Sequence, residues 1–347
     1  MYVRRCRRLR ILLAGFGIVG RSLAEILLEN SERYRREEGL NIRIVGIVDS
    51  GGAAVYEKGL NLEEMIKTKK RNGSISLHAE YGRPGVNVLD LLDELDIDVL
   101  VDATPTNLID GEPSYTYIRK ALVSRLHVVT VNKGPLALAL PALKELAQHK
   151  DVILKFSGSV GGGLPVIEFA RQCARGDKIV KIEGVLNGTT NYIISRMEDG
   201  LEFDVALREA KEKGYAEKDP SLDIKGLDTA AKLVILANEI LGIKATLINV
   251  SIKGIEKLSR KEINEAIRDG ETYRLIGRVD SGLEVKPTRI RREDPLAIRY
   301  SMNAVSFTTM NSGVHVILGR GAGGRETATA ILRDLIEIKK KLIEVKI

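Results

Sequence analysis

A short apolar stretch, Arg10-Ile-Leu-Leu-Ala14, runs directly into Gly15-Phe16-Gly17-Ile18-Val19-Gly20, and Arg21 to Leu28 then has helical spacing. A second apolar stretch, Ile42 to Val48, ends at Asp49. Strand, glycine turn, helix, strand and acid in that order restrict the chain to few folds. The glycines let backbone N–H groups approach a pyrophosphate at a helix N-terminus, the setting of a dinucleotide-binding β-α-β unit. A G-x-G-x-x-G elsewhere serves ordinary turns; its place between strand and helix makes it a cofactor signal. Asp49 stands where a carboxylate accepts from both ribose hydroxyls and disfavours a 2′-phosphate, with Ser50, Gly51 and Gly52 leaving room beside it. That leans to NAD. Lys58, Lys67, Lys69 and Lys70 are nevertheless cations able to fold over a phosphate, so NAD and NADP both stay open.

The pattern recurs. Asp98 to Asp102 and His127 to Val131 read as further strands apolar on both faces, with a helix over Ser114 to Ser124 between them. Strands alternating with helices over the first part of the chain predict an α/β, Rossmann-type doubly wound parallel sheet. Ligands of such sheets lie beyond the carboxyl ends of the strands, so Thr104 and Pro105 after one strand, and Asn132 and Lys133 after the next, are expected to line the cofactor crevice. From Gly158-Ser-Val160-Gly161-Gly162-Gly163-Leu164 onward the texture changes. Expected strands at Ile179 to Leu186, Val279 to Val285 and Ala304 to Thr309, with helices at Tyr192 to Glu198 and Phe203 to Lys213, describe a second, α+β domain. Gly319-Arg-Gly321-Ala-Gly323-Gly324 opens a last helix, Thr327 to about Lys341, expected to pack back on the first domain. The domains expected are 1–155 plus 319–347 for the nucleotide and 156–318 for catalysis and dimerisation. The glycine-rich loop is either a hinge or a set of exposed carbonyls suited to a hard cation.

The second half carries its own chemical signal. Gly226 to Gly242 is helical by length and composition, and Asp228 and Lys232, four residues apart, share a face. Such a spacing is ordinarily a surface ion pair. Here Leu233-Val-Ile-Leu-Ala237 wraps the next turn entirely, which points to burial, and buried ionised groups are paired or employed.

A net charge of +7 raises the question of a nucleic-acid partner, but Arg4, Arg5, Arg7, Arg8 and Arg10 supply five of those charges at one end. Without interleaved aromatics they read as a solvated arm, and no nucleic acid is expected. No apolar run reaches the roughly 20 residues that span a bilayer, and no cleavage-site pattern follows the basic start, so neither membrane nor signal peptide is expected. Cys6 and Cys173 alone build neither a disulfide framework nor a zinc site, and the reading is cytoplasmic.

With these motifs in hand, the chain resembles the homoserine dehydrogenases, in the short form without a regulatory ACT domain or fused aspartate kinase. The resemblance rests on the glycine turn, Val131-Asn132-Lys133-Gly134-Pro135-Leu136, Ser159-Val-Gly-Gly-Gly-Leu-Pro-Val-Ile167, Asn187-Gly188-Thr189-Thr-Asn-Tyr192, Gly214-Tyr-Ala-Glu217 with Asp223, Asp228 and Lys232, and Gly321-Ala-Gly-Gly with Glu326-Thr-Ala. It implies NAD(P)-dependent interconversion of L-homoserine and L-aspartate 4-semialdehyde, on the route to threonine, methionine and isoleucine. It further implies Lys133 and Lys232 as proton-transfer groups, and Glu217, Asp223, Asp228, Lys232, Asn187, Gly188, Thr189 and Tyr192 around the substrate. Gly15 to Gly20, Asp49, Ser50, Thr104, Pro105, Asn132, Lys133, Gly321 and Glu326 fall to the cofactor. The backbone at Ser157, Val160, Gly162 and Leu164 matches positions that hold a sodium ion, with Ser157 standing where relatives have a glutamate. A homodimer joined through sheets of the second domain, near residues 285 to 318, is implied as well.

Two other readings share the nucleotide half. A reductase for another amino-acid semialdehyde has no reason to keep Glu217, Asp228 and Lys232 together, and a nucleotide-sensing regulatory module has no use for an intact polar set.

Overall fold

The computed structural model describes residues 8–344, which leaves Arg4, Arg5, Cys6 and Arg7 of the N-terminal stretch outside the described residues. Arg10 belongs to no solvated arm. It lies in the first strand, and its guanidinium pairs with Glu57 and Asp96, each at 3.6 Å. Among the described residues no helix is long and apolar enough to cross a membrane.

The chain divides into two units, residues 1–159 with 323–347, and residues 160–322. The first holds a seven-stranded sheet built from β1 (Leu9–Ala14), β2 (Ile42–Asp49), β3 (Gly52–Val55), β4 (Gly82–Pro84), β5 (Val99–Asp102), β6 (His127–Thr130) and β7 (Leu154–Lys155), in the order β4-β3-β2-β1-β5-β6-β7. Pairings from β2 through β1, β5 and β6 to β7 are parallel. β3 and β4 add an antiparallel edge that the sequence reading did not foresee. Strand order reverses between β1 and β5, and in open sheets of this kind the ligand crevice opens at that switch.

The helix Gly324–Glu344 lays Ala328, Ile331, Leu332, Leu335 and Ile338 into the same core as Ile11, Leu13, Ile47 and Val99. It therefore completes the first unit from the far end of the sequence. Asp334 on this helix, fully buried, accepts from the Ser157 N–H at 2.9 Å and from the Ser157 hydroxyl, and Glu337 pairs with Lys155. Those bonds explain why residues 156–159 belong to the first unit rather than starting the second.

The second unit is built on a six-stranded sheet of β8 (Ile179–Val185), β9 (Val250–Ile252), β10 (Glu271–Val279), β11 (Leu283–Arg291), β12 (Met302–Thr309) and β13 (Val314–Arg320), ordered β13-β12-β8-β10-β11-β9. Pairing is antiparallel except between β11 and β9. The strand expected over Val279 to Val285 is instead a hairpin. Asp280-Ser-Gly282 turns the chain between β10 and β11, and the Asp280 carboxylate accepts from the N–H groups of Ser281 and Gly282. That Asp-Ser-Gly is itself a turn signal, which the flanking valines masked. β13, pairing with β12 along its length, carries residues 319 and 320 into the second unit. The helix Leu227–Leu236 is buried over its whole last two turns, Thr229 to Leu236. It continues as a π-helical turn, Ala237–Leu241, and stops at Gly242, whose φ of 68° suits glycine at a helix end.

Candidate functional site

In the first unit the glycine turn follows β1 and leads into the helix Ile18–Glu37, whose N-cap Gly17 offers no side chain to the free N–H groups of the first turn. The glycines differ in purpose. A Cβ on Gly15, where φ is 94°, would collide with the Ala103 carbonyl, and one on Gly20 with the Gly15 carbonyl. A Cβ on Gly17 would meet nothing within 4 Å. Gly15 and Gly20 are thus required by the turn, and Gly17 faces open space. Phe16 is buried and Val19 partly so, while Ile18 is 70% exposed at the mouth of the turn. An open helix N-terminus with no acid in its first turn fits a pyrophosphate. The helix Gly324–Glu344 starts alongside, since a Cβ on Gly324 would touch Ile18 and Ser22; Glu326 lies in its first turn against Gly323.

Asp49 is placed at the end of β2 as expected, but its carboxylate does not stand free for a ribose. One oxygen accepts from Gly51 N–H at 2.9 Å and the Ser74 hydroxyl at 2.7 Å; the other accepts from Lys69 Nζ at 2.7 Å and Ile75 N–H at 3.0 Å. Desolvation raises its pKa, and these four bonds outweigh it and hold the group below the ordinary carboxylate value. Lys69 compensates the charge of Asp49 locally. Ser50 is exposed beside it.

At the carboxyl ends of β5 and β6 the two expected turns meet. Asn132 caps the helix Lys133–His149 by accepting from Gly134 N–H at 2.9 Å, and its amide donates to the Pro105 carbonyl at 2.9 Å and the Thr104 hydroxyl at 3.1 Å. Lys133, the first residue of that helix, is half-buried. Beneath both turns lies Asp102, a residue that the sequence reading treated only as the end of a strand. The available signal was a carboxylate closing an all-apolar strand, which must find partners.

In the second unit Asn187 organises the polar set. Its amide nitrogen donates to Asp223 at 2.6 Å and to Asp228 at 2.8 Å, and its oxygen caps the helix Gly188–Glu198 by accepting from Thr190 N–H at 2.9 Å. Lys232, 8% exposed, donates to Asp228 at 2.6 Å and to the Leu186 carbonyl at 2.6 Å. The pair is therefore buried, not a surface bridge. Burial first, then the charge of Asp228, push the Asp223 pKa above the ordinary value, against the pull of the Asn187 amide and Lys232.

Gly188 packs against Ser301, where a Cβ would lie 2.9 Å from the carbonyl. The Thr189 hydroxyl donates to the Tyr215 carbonyl at 2.7 Å. The Tyr192 hydroxyl donates to Glu209 at 2.9 Å, and its ring lies 4.7 Å from that of Tyr215. Tyr192 thus braces the loop that carries Glu217. Glu217 itself is exposed, and among the described residues no hydrogen bond or ion pair ties it to the Asn187 set.

The remaining expected positions divide. Ser157 is fixed in the first unit by Asp334, whereas Val160, Gly162 and Leu164 belong to the second. Gly161 and Gly162 have φ of 82° and 56°, which turns successive carbonyls away from an ordinary ladder, and the Leu164 carbonyl accepts from Val166 N–H at 2.8 Å. Gly321 abuts Gly162 and the Asn303 side chain, within the second unit.

Comparison with known proteins agrees with both halves. Residues 15–157 match the NAD-binding domain of homoserine dehydrogenase, and residues 165–336 match the homoserine dehydrogenase family proper. A homoserine dehydrogenase of Methanocaldococcus jannaschii is 43% identical over 94% of this chain and 98% of its own. An NAD(+)-dependent homoserine dehydrogenase of Pseudomonas canavaninivorans is 40% identical over 95% of this chain and 96% of its own. Among solved structures, a putative homoserine dehydrogenase from Archaeoglobus fulgidus superposes with a TM-score of 0.87 at 37% identity, covering 95% of this chain and 99% of that one. A hyperthermophilic archaeal homoserine dehydrogenase in complex with NADPH does so with a TM-score of 0.85 at 30% identity, covering 96% and 98%. A glycine turn open at Gly17 and a buried Asn187–Asp228–Lys232 set occur in one chain because it belongs to the homoserine dehydrogenase family.

Proposed function

We propose that the chain interconverts L-homoserine and L-aspartate 4-semialdehyde, and that the observation carrying this reading is the coordination of Lys232. An ammonium has three donors. Two are spent on Asp228 and the Leu186 carbonyl, which aim the side chain and leave the third for the oxygen of a ligand. The enzyme is an NAD(P)-dependent oxidoreductase, and the nicotinamide supplies or accepts the hydride. The turn Gly15 to Gly20 binds the pyrophosphate, with Thr104, Pro105 and Asn132 along the same crevice. Lys232 stabilises the alkoxide that forms at the aldehyde oxygen, and Lys133 is the second proton-handling group. Asp223 and Asp228, held by Asn187, receive the substrate ammonium, and Glu217 joins them as the exposed loop settles over the amino acid. Backbone oxygens of Val160, Gly162 and Leu164 hold a sodium ion.

The second unit also carries the assembly surface. On β13, an edge strand, Val314 and Leu318 are 61% and 58% exposed, and with Val316 they face the same side of the sheet. An apolar edge of that kind is a template for another chain. A second copy covering it makes the protein a homodimer, working in the cytoplasm.

Nicotinamide absorbance with homoserine or aspartate semialdehyde as substrate tests the activity. Lys232→Ala and Lys133→Ala are each expected to lower kcat by about two to four powers of ten, the range of general acid–base catalysis, with cofactor affinity little changed in Lys232→Ala. Near-normal turnover in Lys232→Ala would reduce its pair with Asp228 to a structural one.

A further inference from the structure

Asp102 ends β5 and is 0% exposed, with no cation bonded to it among the described residues. A carboxylate in that position is costly unless every lone pair is used. One oxygen accepts from the Thr104 N–H at 3.1 Å and the Thr104 hydroxyl at 2.6 Å; the other accepts from the hydroxyls of Ser114 at 2.5 Å and Thr130 at 2.8 Å. The partners then reach outward. The Thr130 hydroxyl, having donated to Asp102, accepts from the Asn132 N–H at 3.0 Å, and the Thr104 hydroxyl accepts from the Asn132 amide at 3.1 Å. Main-chain bonds run beside them, from Val131 N–H to the Asp102 carbonyl at 3.0 Å and from Ala103 N–H to the Ala14 carbonyl at 2.7 Å.

We propose that Asp102 is a positioning residue, the acceptor hub through which Thr130 and Thr104 fix the Asn132–Lys133 turn for catalysis. Each hydroxyl in the network has one proton. A carboxylate, which only accepts, orients the Thr130 and Thr104 protons inward and so leaves their lone pairs outward, for Asn132. Asparagine at 102 would present an amide N–H to hydroxyls that must then rotate, and the outward acceptors would be lost. Asp102 touches neither substrate nor cofactor in this scheme; it acts through Lys133 and through the Thr104 turn.

The proposal rests on the oxidoreductase reading above, and two readouts separate them. Asp102→Asn and Thr130→Val are expected to lower kcat at least about tenfold, as misplacement of a catalytic group by a fraction of an ångström does, with the KM for homoserine unchanged. NADH affinity, read by nicotinamide fluorescence in a chain that has no tryptophan to interfere, should weaken several-fold. Thr130→Ser keeps the hydroxyl and should recover most of what Thr130→Val loses. Wild-type kcat in a folded Thr130→Val, or equal losses in Thr130→Val and Thr130→Ser, would overturn the proposal even if Asp102→Asn fails to fold. A wild-type chain that binds NADH without turning over homoserine would instead sink the homoserine reading, and weakened NADH binding in the variants would still support the hub.

Discussion

Single residues in the glycine turn make separable demands. Gly17→Val should fold, since its Cβ points into open space, and should lose cofactor binding because that space is the one proposed for the phosphate; Gly20→Ala should lose stability, because its Cβ meets the Gly15 carbonyl. Thermal unfolding and NADH titration of the two variants check this, and unchanged affinity in Gly17→Val would refute it. Asp223 supplies a second residue-scale expectation. Its pKa is raised in the folded state, so between the ordinary value and the folded one the native chain holds more protons than the unfolded chain, and stability falls as pH rises through that window. Asp223→Asn should therefore raise Tm at neutral pH and above, gain nothing at pH below the ordinary carboxylate range, and weaken homoserine binding. A Tm difference independent of pH would refute the assignment. At this scale Asp228 and Lys232 were legible because a four-residue spacing fixes their common face. The Leu186 carbonyl and Asn187 were not legible as their partners, because the bonds cross 46 and 41 residues. The partners of Asp49 were hidden for a similar reason: Lys69, Ser74 and Ile75 lie 20 to 26 residues on.

Whole elements repeat this division. The β-α-β unit and the buried Leu227–Leu236 helix follow from local apolar periodicity, which a single sequence states directly. The β10–β11 turn was lost because valines on both sides of Asp280-Ser-Gly282 read as one strand, and β13 because its Gly319 and the Gly321 just beyond it read together as the opening of the last helix. That helix is joined to its unit by one buried polar contact of unusual consequence. Removing the Asp334 carboxylate takes a buried acceptor from both the Ser157 N–H and the Ser157 hydroxyl, so Asp334→Ala should cost about 2–3 kcal/mol. Denaturant unfolding followed by circular dichroism measures this, and a loss under about 0.5 kcal/mol would show that this contact does not hold the helix.

At the scale of the molecule, the six-stranded sheet presents Val314, Val316 and Leu318 on the side opposite the Leu227–Leu236 helix, which packs Thr229 and Leu233 against Gly277. Leu318→Arg should convert dimers to monomers in light scattering while leaving cofactor affinity intact; a wild-type chain already monomeric at working concentration would refute the assembly. The closure of the first unit by Gly324–Glu344 bears on how the molecule is made. A ribosome completes β1 to β7 and then, at ordinary elongation rates, spends roughly ten to thirty seconds on residues 160–322 before the helix emerges. Through that interval the cluster that holds Ile11, Leu13 and Val99 lacks Ile331, Leu332 and Leu335, so the nascent chain carries a sticky, unfinished half that only a segment made after the second unit can seal.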